Sequence, residues 1–186
     1  MRLFFGLILA LSCSLASAES TFFAEQGVSS EQVNAAVAQA KQHNKLALLV
    51  IGADWCHDSR ALADYLQTDD VIVEVEQHFQ LAIINAGWLR DLSPLLSQYG
   101  HPAYFGTPTV LVIDPVSNRV LNRPTVQRWQ SAHSETADAF ARYLAAAAAN
   151  RAQRVAAMQA VIDNTPDASK KALADYEWQS SRNLYN

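Results

Sequence analysis

The sequence predicts an α/β domain in which short buried strands alternate with helices, followed by an Ala-rich helical extension. Two observations carry this. Leu46 to Ile51 (LALLVI), Leu81 to Asn85 (LAIIN) and Val110 to Ile113 (VLVI) are apolar runs of strand length without alternation, and such runs suit strands covered on both faces. The segments between them carry apolar residues at helical spacing, bounded by Ser, Gly and Pro punctuation.

The elements follow in order. Ser29 to His43 reads as a helix, with Ser29 or Ser30 as cap and Val33, Ala36, Val37 and Ala40 on one face. After the first strand, residues 53–59 form a turn that feeds a helix from Asp58 to Gln67. Asp69 to Phe79 suits a helix, although Val71-Ile72-Val73 leaves a strand open. Leu92 to Tyr99 is a short helix with Pro94 in its first turn, the one place proline is tolerated, and Gly100 stops it. The third strand leads through the turn Asp114 to Asn118 into a returning strand, Arg119 to Asn122. A helix then runs from Ser134 to about Asp163, with Phe140, Tyr143 and Leu144 opening its apolar face and Pro166 beyond it as a breaker. Its alanines need no partner to explain them, since helix propensity suffices.

The chain has 186 residues, 50% of them hydrophobic and 17% charged, with a net charge of −4. This composition excludes a disordered chain and a small disulfide-knotted one. The longest basic run is Lys170-Lys171, so nucleic acid is not an expected partner. Residues 1–18 have the parts of a secretory signal: Arg2, an apolar core from Leu3 to Leu11, and Ala16-Ser17-Ala18 as cleavage site. That core is too short to span a bilayer, and no integral membrane segment is expected after cleavage. The minor alternative is lipid anchoring through Cys13, for which Ala10-Leu11-Ser12 is a poor cleavage box. The expected division is a signal at 1–18, a domain at 19–150, and a C-terminal helical extension and tail at 151–186. Cleavage after Ala18 leaves Cys56 as the one cysteine and a charge of −5, from 13 Lys+Arg against 18 Asp+Glu. An odd thiol in an oxidising compartment either pairs with another molecule or is shielded.

Cys56 stands where a strand turns into a helix. The unpaired N–H groups of a first helical turn favour negative charge, and the thiolate is the nucleophile. The Ser59 hydroxyl can turn back towards the sulfur, and a protonated His57 would assist; Asp54 and Asp58 would oppose ionisation. Trp55 would shield the thiol and shape the surface beside it.

Trp55-Cys56-His57-Asp58-Ser59 after a buried strand, with Gly106-Thr107-Pro108-Thr109 about fifty residues on before another, resembles the thioredoxin superfamily. The resemblance covers roughly 120 residues, Val28 to Leu144, and implies a thioredoxin-like fold: a central mixed sheet flanked by helices. It also implies that Pro108 is a cis-proline beside the reactive sulfur and that the Thr107 backbone offers strand-like hydrogen bonds to a bound polypeptide. Two positions depart from the family pattern. Ser59 replaces the second cysteine, whose thiol releases the product, and Val50 stands where many members carry a buried Asp. An alcohol forms no S–S bond, so an ordinary dithiol oxidoreductase is disfavoured.

Three readings follow. In the first, Cys56 is a monothiol nucleophile that acts on oxidised or disulfide-bearing proteins in the periplasm or another exported location. Glutathione or a partner thiol protein then resolves the mixed disulfide. In the second, the fold is a redox-inactive module that holds extended peptides along Thr107-Pro108. The third, a metal or cluster site shared between chains, has too few ligands in Cys56 and its His and Asp neighbours. The expectation is therefore a protein with no cofactor and no metal. His101-Pro102 and Tyr104-Phe105 are expected to plug the loop before Pro108 rather than to form a substrate rim. Trp88 and Trp129 read as core or rim aromatics, and His43, His78 and His133 are assigned no role.

Overall fold

The structure is a computed structural model that describes residues 21–163; the signal segment, Cys13 and the tail beyond Asp163 lie outside the described residues. Its elements are α1 (Phe22–Gln26), α2 (Ser30–Gln42), β1 (Leu46–Gly52), α3 (His57–Tyr65), α4 (Asp69–His78), β2 (Phe79–Asn85), α5 (Ser93–Leu96), β3 (Thr109–Asp114), β4 (Arg119–Val120) and α6 (Ala137–Asp163). Short 3-10 turns occupy Ser97–Tyr99, Arg123–Thr125 and Arg128–Ser134.

The strands form one mixed sheet in the order β2-β1-β3-β4. β1 runs parallel to β2 and antiparallel to β3, and β4 is antiparallel to β3. Every residue of β1 is buried, as its unalternating sequence requires for a strand covered on both faces. Ala47, Leu49 and Ile51 face the layer of α2, where Val33, Val37 and Ala40 meet them. Leu46, Leu48 and Val50 face the opposite layer, with Leu62 of α3, Trp129, and Phe140 and Leu144 of α6. Each large aliphatic buried this way contributes about 1.5–3 kcal/mol. Val50, where the family often carries a carboxylate, is thus an ordinary core residue. α2 starts with a reciprocal capping box: the Gln32 N–H donates to Ser29 Oγ, and the Ser29 N–H donates to Gln32 Oε1.

Several boundaries differ from the sequence expectations, each for a local reason. α1 escapes periodicity because it is five residues long and is held from outside. Both Asp54 carboxylate oxygens accept from its first N–H groups, Phe23 and Ala24, at 2.9 Å. Phe23 fills the space over Gly52, where any Cβ would stand 2.2 Å from the ring. Asp69 to His78 is a helix, with Asp69 and Asp70 in its first turn, where carboxylates suit the helix dipole. β2 begins at Phe79 rather than Leu81 because the parallel ladder starts at Leu46 opposite Phe79. α3 begins at His57 rather than Asp58 and ends at Tyr65 rather than Gln67. The expected Leu92–Tyr99 helix divides into α5 and a 3-10 turn ended by Gly100, whose φ of 69° is left-handed. The long helix starts at Ala137 rather than Ser134: Thr136 Oγ1 accepts from the Ala139 N–H, and Ser134 belongs to the preceding turn.

β4 is two residues long, not four, because a side chain replaces the rest of the ladder. Asn122 Oδ1 accepts from the Val112 N–H and Asn122 Nδ2 donates to the Val110 carbonyl, both at 2.8 Å. Asn122→Ala strands a buried backbone donor, so it should destabilise the domain by roughly 1–3 kcal/mol. The urea midpoint should fall with an unchanged slope; an unchanged midpoint would mean that solvent satisfies Val112.

Candidate functional site

Parallel pairing of β1 with β2 sets Gly52 beside Asn85, so the loops leaving the two strands lie side by side at one end of the sheet. The first carries Trp55 and Cys56. Its turn closes through the Cys56 N–H to the Ala53 carbonyl, 3.0 Å, and the Arg60 guanidinium donates to the Asp54 carbonyl at 2.8 Å. Cys56 is the N-cap of α3, with extended backbone and a side chain that caps nothing. Its sulfur is half-buried and is the one cysteine among the described residues.

The Thr107–Pro108 peptide bond is cis. It places the Thr107 carbonyl 3.2 Å from Cys56 Sγ, where the thiol donates to it. Residues 51 apart in sequence are thereby in contact, and Thr107 is itself buried. Thr109 Oγ1 donates to the Gly106 carbonyl at 2.8 Å and closes the loop before β3. Burial pushes the Cys56 thiol up, but hydrogen bonds from the Thr107 and Ser59 side chains and from the Ser59 and Asp58 N–H groups outweigh it. The net effect holds the thiol below its ordinary range. Ser59 is fully buried, and while the thiol proton points to Thr107 its Oγ has no hydrogen-bond partner. A hydroxyl left over in this way is a ready donor to the thiolate once that proton leaves.

Asp54 and Asp58, expected to oppose ionisation, are both paired with donors of their own. Asp54 holds α1, as above. The Asp58 carboxylate is buried: Oδ1 accepts from the His133 N–H at 2.9 Å and Oδ2 lies 3.1 Å from His57 Nε2. The His57 and His133 rings meet edge to face at 5.0 Å. His133, given no role from sequence, therefore belongs to the surroundings of the Cys56 turn. The signal that could have found it is weak, because it depends on the docking of the 3-10 turn Arg128–Ser134 against α3.

Trp55 Nε1 donates to the Gly87 carbonyl at 2.7 Å, and its ring stacks on Trp88 at 5.4 Å and 5°. Trp88 is a surface residue of the second loop, whereas Trp129 is core. Trp88 could have been placed beside Trp55 from the parallel pairing alone, since parallel neighbours bring their C-terminal loops together. The expected loop plug is only partly there. Tyr104 packs against the core and donates to the Arg90 carbonyl at 2.8 Å, and His101 is half-buried, but Phe105 projects into solvent. Among the described residues, no group of three or more His, Cys, Asp or Glu side chains is arranged to hold a metal ion. No helix among them is long and apolar enough to cross a membrane.

Comparison with known proteins agrees with this geometry. The family described as Thioredoxin-like matches residues 28–115, the segment that runs from the capping box of α2 through the Cys56 turn and the Thr107–Pro108 bond to the end of β3. Among solved structures, the chain is similar to a disulphide isomerase from Xylella fastidiosa Temecula1. The two are 29% identical, with a TM-score of 0.55, over 62% of this chain and 87% of the other. No curated protein matches the chain. A mixed sheet of this order, a cysteine at the start of the helix after β1 and a cis Thr107–Pro108 bond whose Thr107 carbonyl meets that sulfur accompany the family match: the chain has a thioredoxin-like fold.

Proposed function

We propose that this protein carries out thiol–disulfide exchange by a monothiol route through Cys56, on disulfide-bearing proteins in an exported, periplasmic setting. The observation that carries the reading is the placement of Cys56 at the α3 N-terminus, against Thr107, with its thiol held below the ordinary range. The printed identity of the similar solved structure, a disulphide isomerase, supports the same chemistry. In the first step the Cys56 thiolate attacks one sulfur of a substrate disulfide. The substrate S–S bond breaks, a Cys56–substrate disulfide forms, and the second substrate sulfur leaves as a thiolate that takes a proton from solvent. Ser59 cannot attack this mixed disulfide, so an external thiol, glutathione or a partner thiol protein, loses its proton and does so. The Cys56 thiolate is regenerated and the substrate sulfur is left bonded to the external thiol. Electrons balance, because one disulfide and one thiol enter each step and one of each leaves.

In this reading His57 and Trp55 tune and shield the thiol, Ser59 donates to the thiolate, and the backbone at Thr107 and Pro108 receives the substrate chain. The exported form comprises a domain at 19–150 and an extension at 151–186, freed of the signal at 1–18.

The test is the rate of Cys56 alkylation by iodoacetamide from pH 3 to 10 on the mature protein. With its thiol lowered in the fold, Cys56 should titrate below an ordinary free thiol. Alkylation should fall as pH drops through the lowered value. Oxidised extracts should then yield covalent adducts that Cys56→Ser abolishes. A thiol titrating at or above the free value, or inert in the native state, would overturn the proposal in favour of a redox-inactive peptide-binding module.

A further inference from the structure

Scattered single apolar side chains on a protein surface need no explanation, but a cluster held beside a reactive atom does. Of the six large hydrophobic residues exposed among the described residues, four lie in the three loops that follow β1, follow β2 and precede β3: Trp55, Trp88, Leu89 and Phe105. They are 42%, 85%, 51% and 78% exposed. They also form a sequence in space. Trp55 adjoins Cys56, Trp88 stacks on Trp55, and Leu89 and Phe105 line one cleft between the loops. Phe105 lies two residues before Thr107, the residue in contact with the sulfur.

Polar bonds hold this surface in place. The Trp55 indole and the Tyr104 hydroxyl donate to the carbonyls of Gly87 and Arg90, at 2.7 and 2.8 Å. The Gly87 N–H donates to Asn85 Oδ1 at 2.8 Å, and the Arg90 N–H to the Ala86 carbonyl at 2.9 Å. Leu89 adopts a left-handed φ of 58°, which is costly for a bulky residue and is usually kept at a functional position. With one face of Trp88 on Trp55 and most of its surface open, a further ring or aliphatic side chain has room to stack.

We propose that Trp88, Leu89 and Phe105 form a specificity ledge for extended polypeptides that carry a large aromatic or aliphatic residue close to their cystine. This deepens the monothiol reading and rests on it. Trp88 joins Cys56 through Trp55, and Phe105 stands two residues before Thr107, which ties the ledge's occupant to the chain whose disulfide is being attacked. It begins one ring spacing beyond Trp55, so at about 3.5 Å per extended residue it reads a position about two to four residues from the substrate cysteine. Glutathione has no apolar side chain to place there, which leaves the ledge to the protein substrate and not to the resolving thiol.

The test uses two peptides disulfide-linked to free cysteine, identical except for Trp or Ser three residues from the linked cysteine. Hydroxyethyl disulfide serves as a probe with no flanking chain. Mature protein should capture the Trp peptide about tenfold faster, the ratio expected of one moderate apolar contact. Trp88→Ala and Phe105→Ser should each bring that ratio towards one, and Trp88→Tyr should keep most of it. Equal rates for both peptides in the unaltered protein would overturn the ledge, as would a ratio that survives both substitutions. Sedimentation showing a dimer that Trp88→Ala dissociates, with no peptide preference, would also overturn it and reassign the surface to self-association. Failure to react with all three disulfides, hydroxyethyl disulfide included, would instead bring down the exchange reading beneath it.

Discussion

On the proposed monothiol route, Ser59→Cys should turn a site that needs an external thiol into one that releases its own product. Position 59 is one helical turn from Cys56 and fully buried, and its hydroxyl has no partner while the Cys56 proton points to Thr107. A thiol there replaces the hydroxyl that donates to the Cys56 thiolate and adds the nucleophile that position 59 lacks. Intramolecular attack carries effective molarities far above any external thiol, so the covalent adduct should decay at least about a hundredfold faster without added thiol. The oxidised variant should contain a 56–59 disulfide, visible as the loss of both titratable thiols. The measurement is the lifetime of a trapped adduct in the variant and in the unaltered protein, read on non-reducing gels or by intact mass. An unchanged lifetime would mean that the α3 N-terminus holds position 59 away from the sulfur, and that more than the missing thiol separates this chain from a dithiol enzyme.

Trp129→Ala should be the most damaging single truncation in the layer beneath Cys56. The indole is fully buried, meets Phe140 at 4.7 Å and Tyr143 at 5.5 Å edge to face, and is packed with Leu48 and Val50 in the core layer beneath the site. Loss of a buried aromatic costs about 3–5 kcal/mol, a large part of the margin of a domain this size. The site would suffer with it. The 3-10 turn that carries Trp129 also presents the His133 N–H to Asp58 and the Ala132 carbonyl to the Tyr65 hydroxyl, 2.9 and 2.7 Å. Trp129→Phe should cost under about 2 kcal/mol, since packing is partly kept and the indole N–H has no partner to lose. Urea unfolding of both variants checks this. Equal destabilisation would show that the N–H, not the ring volume, is what the fold uses there.

Much of this protein follows from short-range pattern. The capping box at Ser29, the unalternating strands and the strand–Trp-Cys–helix turn are local features, written within one or two turns of chain, and local periodicity reports them directly. The pairing of Cys56 with Pro108 was legible through the family resemblance, because both halves of the motif survive although Ser59 and Val50 depart from it. Other features were not legible because their causes are distant in sequence. α1 exists because Asp54, some thirty residues away, supplies its missing acceptors. β4 stops early because the Asn122 side chain substitutes for backbone.

The sequence by itself determined the chemistry available: a cysteine at a helix start, a serine three residues on where a second thiol would stand, and a proline poised before a buried strand. The tertiary structure alone decided the surroundings in which that sulfur works. Docking of the turn at Arg128–Ser134 gives Asp58 its second partner, and parallel pairing of β1 with β2 stacks Trp88 on Trp55. The physical reason is one of range. Propensity, capping and alternation act between neighbours along the chain, whereas the environment of Cys56 is built from side chains that meet only after the sheet has brought its loops to one end.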